Sequence, residues 1–340
     1  MIRDLIAKLE SSSSLSRTES EFLMEQVLEG RLEDAQIVRL LLGLHEKGET
    51  VEELVGFARA LRHHAEPVFA TVARPEGTIL DTCGTGGDAS GTFNVSTAVA
   101  FVAAGAGVRV AKHGNRSITS KSGSADVFEA LGIDLALSPS RAGEAIAEVG
   151  IGFLFAPAVH KAVRHAMPAR RQIGTRTTFN LLGPLTNPAG ATAQLAGVFP
   201  ETAVVKIAHA LAELGVERAF VVHGLDGLDE ISLSAETLVA EVKDGIVRSY
   251  RVRPEDFGLH AESREALLGG DARTNVRILR ALLSGERSAK RNLVLANASA
   301  ALVAAGVAAD FREGASLAAL AIDSGAAKAK LDALIAFLRN

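Results

Sequence analysis

The sequence predicts an α/β protein, with a small N-terminal helical domain and a larger α/β domain built on a mainly parallel central sheet flanked by helices. Three observations carry this. Apolar residues in the first 65 positions recur only at helical spacing. From Gly77 onward, β-rich runs alternate with helical stretches. The composition, 48% hydrophobic and 22% charged over 340 residues, is that of an ordinary globular chain, and at ~150 residues per domain the length suits two units.

Each element follows from local pattern. Ile2, Leu5, Ile6 and Leu9 mark a first helix, broken by the serines at 11–14. A second runs from Thr18 through Phe22, Leu23, Val27 and Leu28 and closes at Gly30; a third spans 32–44 and ends near Gly48. Thr50, with Glu53 three positions on, is a capping box for a fourth. Residues 66–76, with Pro67 and Pro75, form a hinge. Then come a strand at 78–82, a Gly-rich loop and an apolar helix at 95–104. Strand 107–111, helix 125–131, strand 133–137, helix 141–149 and strand 153–155 continue the alternation. It resumes with strand 193–199, helix 203–214 and strand 219–222, and such repeated units imply a parallel sheet. Asp244-Gly245 between the β-rich runs 237–242 and 246–252 signals a hairpin that adds an antiparallel pair at one end. The last 60 residues read as helices.

Several function classes are excluded or disfavoured. The charge is nearly balanced, 36 Lys+Arg against 40 Asp+Glu, and aromatics are only 4%, so neither a basic stripe nor stacking platforms for nucleic acid are supplied. A single cysteine, Cys83, permits neither an internal disulfide nor a thiolate zinc site. The uncharged stretch 292–309 is mostly alanine and is interrupted by Asn297, Ser299 and Gly306, so it reads as a buried helix and not a membrane span. Asp4 and Glu10 break the apolar pattern that a signal peptide needs. The expectation is a cytoplasmic protein that binds neither membrane nor nucleic acid.

The densest chemical signal is Asp81-Thr-Cys-Gly-Thr-Gly-Gly-Asp88, followed by Asn94-Val-Ser-Thr97 at a helix start. Glycines 84, 86 and 87 can turn through positive φ and expose N–H groups, and a helix N-terminus favours anions. A phosphate or pyrophosphate cradle fits this pattern, although a tight strand-to-helix turn would produce it too. The loop is neither a Walker A motif nor a GxGxxG fingerprint. After the next strand come Lys112-His-Gly-Asn-Arg116, then Ser117, Thr119, Ser120, Lys121, Ser122 and Ser124. Two adjacent parallel strands end at one rim, so these cations and hydroxyls should meet the Gly loop there and suit a ligand with several phosphates. His223-Gly-Leu-Asp-Gly-Leu-Asp229-Glu230 follows a further strand. Beside a polyphosphate site, such paired acids are the expected Mg²⁺ ligands. Arg170, Arg171 and Arg176 offer a cation for a carboxylate, and His160 lies just past a strand end.

These segments, in this order, resemble the anthranilate phosphoribosyltransferase family: GTGGD, NVST, KHGNR, SKSGSAD, RTTFNLLGPLTNP and GLDEIS each look like that family's signatures. The resemblance covers essentially the whole chain. It implies the class III phosphoribosyltransferase fold, related to the pyrimidine nucleoside phosphorylases, with the active site in a hinge cleft. Residues 1–70 would form the helical domain, completed by helices from about 160–190, and residues 71–340 the α/β domain that binds 5-phosphoribosyl-1-pyrophosphate (PRPP). It also implies the residue roles. Gly84, Gly87, Asp88, Thr92, Asn94, Val95, Ser96 and Thr97 would contact PRPP, together with Lys112, His113, Gly114, Asn115, Arg116, Ser117, Ile118, Thr119, Ser120 and Ser124. Gly84, Asn115, His160 and Arg170 would bind anthranilate, and Ser96, Asp229 and Glu230 would bind Mg²⁺. Thr119, Lys161, Val163 and Ala169 depart from the residues common in the family; the last three surround the acceptor's channel.

In this chemistry Lys112 and the loop N–H groups would stabilise the departing pyrophosphate, and the aromatic amine needs no strong base, so no catalytic base is assigned. A homodimer is expected from the resemblance. It is also expected because Leu5, Ile6, Leu9 and the leucines at 40–44 exceed what four short helices can bury. The competing readings are a nucleoside phosphorylase on the same fold and a nucleic-acid-binding relative without activity. The paired acids and the KHGNR segment favour the transferase over the first, and the net charge of -4 disfavours the second.

Overall fold

The structure, a computed structural model, describes residues 1–117 and 122–339. Four helices open the chain: α1 (Ile2–Glu10), α2 (Arg17–Leu28), α3 (Asp34–Lys47) and α4 (Val51–His63). The capping box at α4 is formed, with Thr50 N–H donating to Glu53 Oε2 at 2.8 Å and Glu53 N–H donating to Thr50 Oγ1 at 3.3 Å. The buried Glu53 also accepts from Leu15 N–H at 2.8 Å and pairs with Lys47 at 2.9 Å, so one capping acid ties α3 and α4 to the linker that precedes α2.

Seven strands follow: β1 (Ile79–Gly84), β2 (Arg109–Gly114), β3 (Ile151–Phe155), β4 (Ala193–Gly197), β5 (Arg218–Gly224), β6 (Thr237–Lys243) and β7 (Ile246–Val252). They form one sheet in the order β3-β2-β1-β4-β5-β6-β7. The first five are mutually parallel, and β6 and β7 add the antiparallel pair, turned through Asp244 and Gly245 at φ 53° and 77°. Strand order reverses between β1 and β4, where open α/β sheets bind ligands beyond the carboxyl ends of their strands.

The sheet's helices are α5 (Val95–Gly105), α6 (Ser124–Ala130), α7 (Pro139–Glu148), α8 (Ala156–Val159), α9 (Met167–Ile173), α10 (Phe179–Leu182) and α11 (Val204–Glu213). The chain ends with α12 (Ala272–Leu283), α13 (Ala289–Ala304), α14 (Phe311–Asp323) and α15 (Ala326–Arg339). One core packs α5 and α13–α15 on one face of the sheet. A second joins α1–α4 to Ala166, Ala169, Leu182 and Leu185 of the mid-chain segment and to α11 on the other face.

Between β1 and β2 the ladder registers only Ile79 with Arg109 and Leu80 with Val110. Beyond that point the two strands are stitched by side chains: Asp81 Oδ1 accepts from His113 N–H at 3.0 Å. The sheet forks there.

Three expectations are corrected. Residues 133–137 are coil, not strand. Their alternating apolar residues arise because Ile133 and Leu135 pack into the core, while Ile133 N–H closes the end of α6 on Phe128 O and Asp134 caps a turn at Ala136; β2 pairs instead with β3. The alanine-rich helix ends at Ala304, short of residue 309, and Gly306 turns the chain at φ 75°. Leu5, Ile6, Leu9, Leu40, Leu41 and Leu44 are all buried within the chain, because α9–α11 complete the core that four helices alone would leave open, so they supply no surplus apolar face for a dimer. Among the described residues no helix is long and apolar enough to cross a membrane.

Candidate active site

The Gly loop leaves β1 at the switch point and settles on the end of β4. Thr85 N–H donates to Gly197 O at 2.9 Å, and Phe199 N–H donates to Thr85 Oγ1 at 2.9 Å. The loop after β5 closes over it: Gly86 N–H donates to Asp229 Oδ2 at 3.0 Å, joining residues 143 positions apart. Glycine is needed for this approach, since a Cβ on Gly197 would run into the Asp229 carbonyl and one on Gly84 would lie 3.0 Å from Asp229 Oδ2. Asp88 turns back on its own loop, accepting from Ser90 N–H at 3.3 Å.

Beneath this loop lies the fork. Lys112 is buried, and its ammonium donates to Thr82 O and, at 3.1 Å, to Ser96 Oγ. Its charge is thus held beneath the N-terminus of α5, where the carboxylates of Asp81 and Glu230 both act on it. Burial raises the Asp81 carboxyl, opposed by Asn187 and by the charge of Lys112. Glu230 is pushed up to about 8, first by burial and also by Asp88, with Lys112 and the Ser96 N–H opposing. Asp229 is raised well above the usual carboxylate range by burial, Asp88 and Glu230. Val95 and Thr97 point into the core.

The rim after β2 carries Gly114, Asn115, Arg116 and Ser117; Ile118, Thr119 and Ser120 lie outside the described residues. Arg116 faces its own segment, paired with Asp126 at 2.9 Å and with Glu129 at 2.8 Å. Asn115 is exposed, and its carbonyl accepts from Ser124 Oγ at 3.4 Å. Asn94 spends both amide atoms as a strap, donating to Ser122 O at 3.1 Å and accepting from Asn275 of α12 at 2.8 Å. Thr92 forms an isolated bridge with Leu268.

On the opposite wall His113 and His160 meet edge to face, their ring centroids 5.2 Å apart. Burial lowers them to about 3 and about 4, so both are neutral near pH 7. Arg170 is half-buried, with Met167 Sδ 3.8 Å from its guanidinium nitrogen and the Phe179 ring centroid 5.0 Å from its guanidinium carbon, while Arg171 is exposed.

Two residues here escaped functional assignment from sequence: Asp81, which opens the Gly motif and so carried a positional signal, and Asn275, which carried none. Arg176, offered from sequence only as one of three cations for a carboxylate, has a different place. Arg176 reaches the Gly loop itself, donating to Gly86 O at 2.7 Å and Phe199 O at 2.9 Å.

A family model described as the glycosyl transferase family, a/b domain, matches residues 76–328, and one described as its helical bundle domain matches residues 3–65. The anthranilate phosphoribosyltransferase of Solibacter usitatus is 55% identical over 333 residues, covering 98% of this chain and 97% of that protein. The chain belongs to the anthranilate phosphoribosyltransferase family. Among solved members, the anthranilate phosphoribosyltransferase of Thermus thermophilus superposes with a TM-score of 0.92 at 43% identity, over 98% of this chain and 99% of that one. The Saccharomyces cerevisiae enzyme in complex with PRPP and Mg superposes with a TM-score of 0.89 at 27% identity, covering 99% of this chain and 98% of that one.

As a family member the chain is a glycosyltransferase, and its acids can be tested for a divalent cation. Among the described residues no cluster of three or more His, Cys, Asp or Glu is arranged as a metal cage. Burial and the nearby Asp88 nonetheless raise the carboxyls of Asp229 and Glu230 at the mouth of the Gly loop, and Glu230 raises Asp229 further, which is where a cation relieves repulsion. Mg²⁺ commonly takes only one or two carboxylates and completes its shell with substrate phosphate and water, so these residues fit it.

Proposed function

We propose that this chain transfers the phosphoribosyl group of PRPP to the amino nitrogen of anthranilate and releases pyrophosphate, as a step of tryptophan biosynthesis. The C1–O bond to pyrophosphate breaks, the N–C1 bond forms, and the amine gives up a proton. Family membership supports this reading. The observation that carries it is the Asp229 carboxylate accepting from Gly86 N–H at 3.0 Å, which unites an acid pair with an anion cradle at the switch point.

The loop N–H groups and the start of α5 would hold pyrophosphate, with Gly84, Gly87, Asp88, Thr92 and the rim 114–117 around the donor. Asp229, Glu230 and Ser96 would hold Mg²⁺, which when bound offsets the charge of the departing pyrophosphate. Lys112 acts through Ser96, fixing its hydroxyl from below. Arg170 would take the acceptor's carboxylate, with Asn115, His160 and Gly84 lining its approach and the neutral histidines adding no competing charge. Residues 1–70, with helices from about 160–190, form the wall that carries the acceptor. A homodimer and a cytoplasmic location complete the reading, on the resemblance and the chain's charge and composition.

The test is the loss of anthranilate fluorescence on adding PRPP and Mg²⁺ to the purified protein. Turnover that stops with a chelator and returns with Mg²⁺ is expected. Phosphorolysis of a pyrimidine nucleoside, without anthranilate consumption, would overturn the reading.

A further inference from the structure

Arg176 stands on the connection between α9 and α10, yet its guanidinium lies in the Gly loop. Its two terminal nitrogens take different carbonyls, Gly86 O at 2.7 Å and Phe199 O at 2.9 Å, and its central carbon lies 5.4 Å from the Phe199 ring centroid. A Cβ on Gly87 would collide with that guanidinium, so Gly87, at φ 81°, leaves space for the arginine as well as adopting a turn that other residues rarely take. Two positions on, Thr178 donates to Glu49 Oε1 at 2.7 Å in the linker between α3 and α4, and Glu49 O in turn accepts from Lys206 of α11 at 2.8 Å. The three residues 176–178 therefore join the helical domain to the loop that leaves β1. Positive φ at Gly86, Gly87, Ala89 and Gly91 marks that loop as one whose shape costs much entropy to hold.

We propose that Arg176 is a positioning residue for the phosphoribosyl donor: it clamps the Gly loop to the end of β4 and couples that loop to the helical domain, so that the donor's subsite is complete only while the two are joined. The proposal rests on the function given above. It assigns Arg176 no contact with the reacting atoms; the carbonyls it holds belong to the loop whose N–H groups face the ligand.

The test is steady-state kinetics and PRPP calorimetry on Arg176→Ala and Arg176→Lys beside the unaltered protein, with melting temperatures as a control on folding. For Arg176→Ala, the loss of two charge-assisted bonds should raise the KM and Kd for PRPP by roughly 10- to 100-fold, with kcat and the KM for anthranilate within about two-fold of the unaltered protein. Arg176→Lys should show the same PRPP defect, because an ammonium presents its donors from one point and has no flat face for Phe199. Added guanidinium ion should recover PRPP affinity in Arg176→Ala and not in Arg176→Lys, a response that a general folding lesion would not give. An unchanged or lowered KM for PRPP, a loss confined to kcat, or full recovery in the lysine variant would overturn the clamp. If the unaltered protein fails to consume anthranilate, the functional reading falls; if it works and the variants match it, only the clamp falls.

Discussion

The two walls of the cleft are built in opposite ways. On the donor side nearly every polar group is already spoken for by the protein: Lys112 by Thr82 and Ser96, Asn94 by Ser122 and Asn275, Arg116 by Asp126 and Glu129, and Arg176 by two carbonyls. Buried exceptions are Asp81 Oδ2 and Thr97 Oγ1. On the acceptor side, among the described residues, neither ring nitrogen of His160 nor Nε2 of His113 makes a hydrogen bond of ordinary geometry, and Arg170 has a sulfur and an aromatic ring beside it. A buried polar group without a partner costs free energy that a ligand can recover. The donor wall therefore holds its own shape, and the acceptor wall is left for a ligand to satisfy. Substitutions in the first should disturb stability or the whole reaction; those in the second should disturb one affinity.

The largest expected effect is on the acid pair. Replacing Asp229 with Asn together with Glu230 with Gln should lower kcat by roughly 1000-fold or more, the scale of losing a metal's share of leaving-group stabilisation. Melting temperature should hold or rise, since burial and mutual repulsion already oppose the two charges. Near-normal turnover at limiting Mg²⁺ would remove the pair from the metal site. Next comes Lys112→Met, which leaves Thr82 O and Ser96 Oγ without their buried donor; losing hydrogen bonds from a charged group costs about 1.5–3 kcal/mol each, readable by urea denaturation. A stable Lys112→Met protein would show that the fork does not depend on that charge.

Across the cleft the effect should be narrower. Arg170→Ala should raise the KM for anthranilate roughly 10- to 150-fold, about 1.5–3 kcal/mol, with little change for PRPP or in melting temperature. Arg171→Ala, exposed on the same turn, should do neither; the reverse pattern would shift the acceptor contact by one residue. The smallest effect is one of pH. Both histidines titrate lower folded than unfolded, so the unfolded chain takes up protons first and stability falls as pH drops below about 6.5. Between about pH 6.5 and 5.5 each should cost roughly 1 kcal/mol, and His160→Asn should flatten about half of that slope in denaturant titrations. A slope unchanged in that variant would mean His160 is not held neutral.

Much of this architecture is legible in the sequence where a local rule has one outcome. Thr50 with Glu53 makes a cap in almost any surroundings, and Asp244-Gly245 suits a turn between two β-rich runs. The Gly loop and the acids at 229 and 230 declared themselves through residue types that only special backbones or charges require. What stayed hidden depends on direction. Apolar alternation at 133–137 reports burial and not a ladder, so it reads the same for coil packed on a core. A lysine in a polar run reads as a ligand contact, and only the fork shows Lys112 turned inward. Arg176 and Asn275 act across 90 and 181 positions of chain, on partners that local pattern cannot name.

The fork also bears on how firmly individual amides of β2 are held. Val110 N–H donates to Gly150 O within a continuous ladder, whereas the His113 N–H, three residues on, is held by the Asp81 side chain. An amide guarded by a side chain is released when one rotamer moves, without separation of strands. In deuterated water His113 should exchange well ahead of Val110. The opening stays local, because β2 remains paired with β3 to Gly114 and β1 with β4 to Gly84.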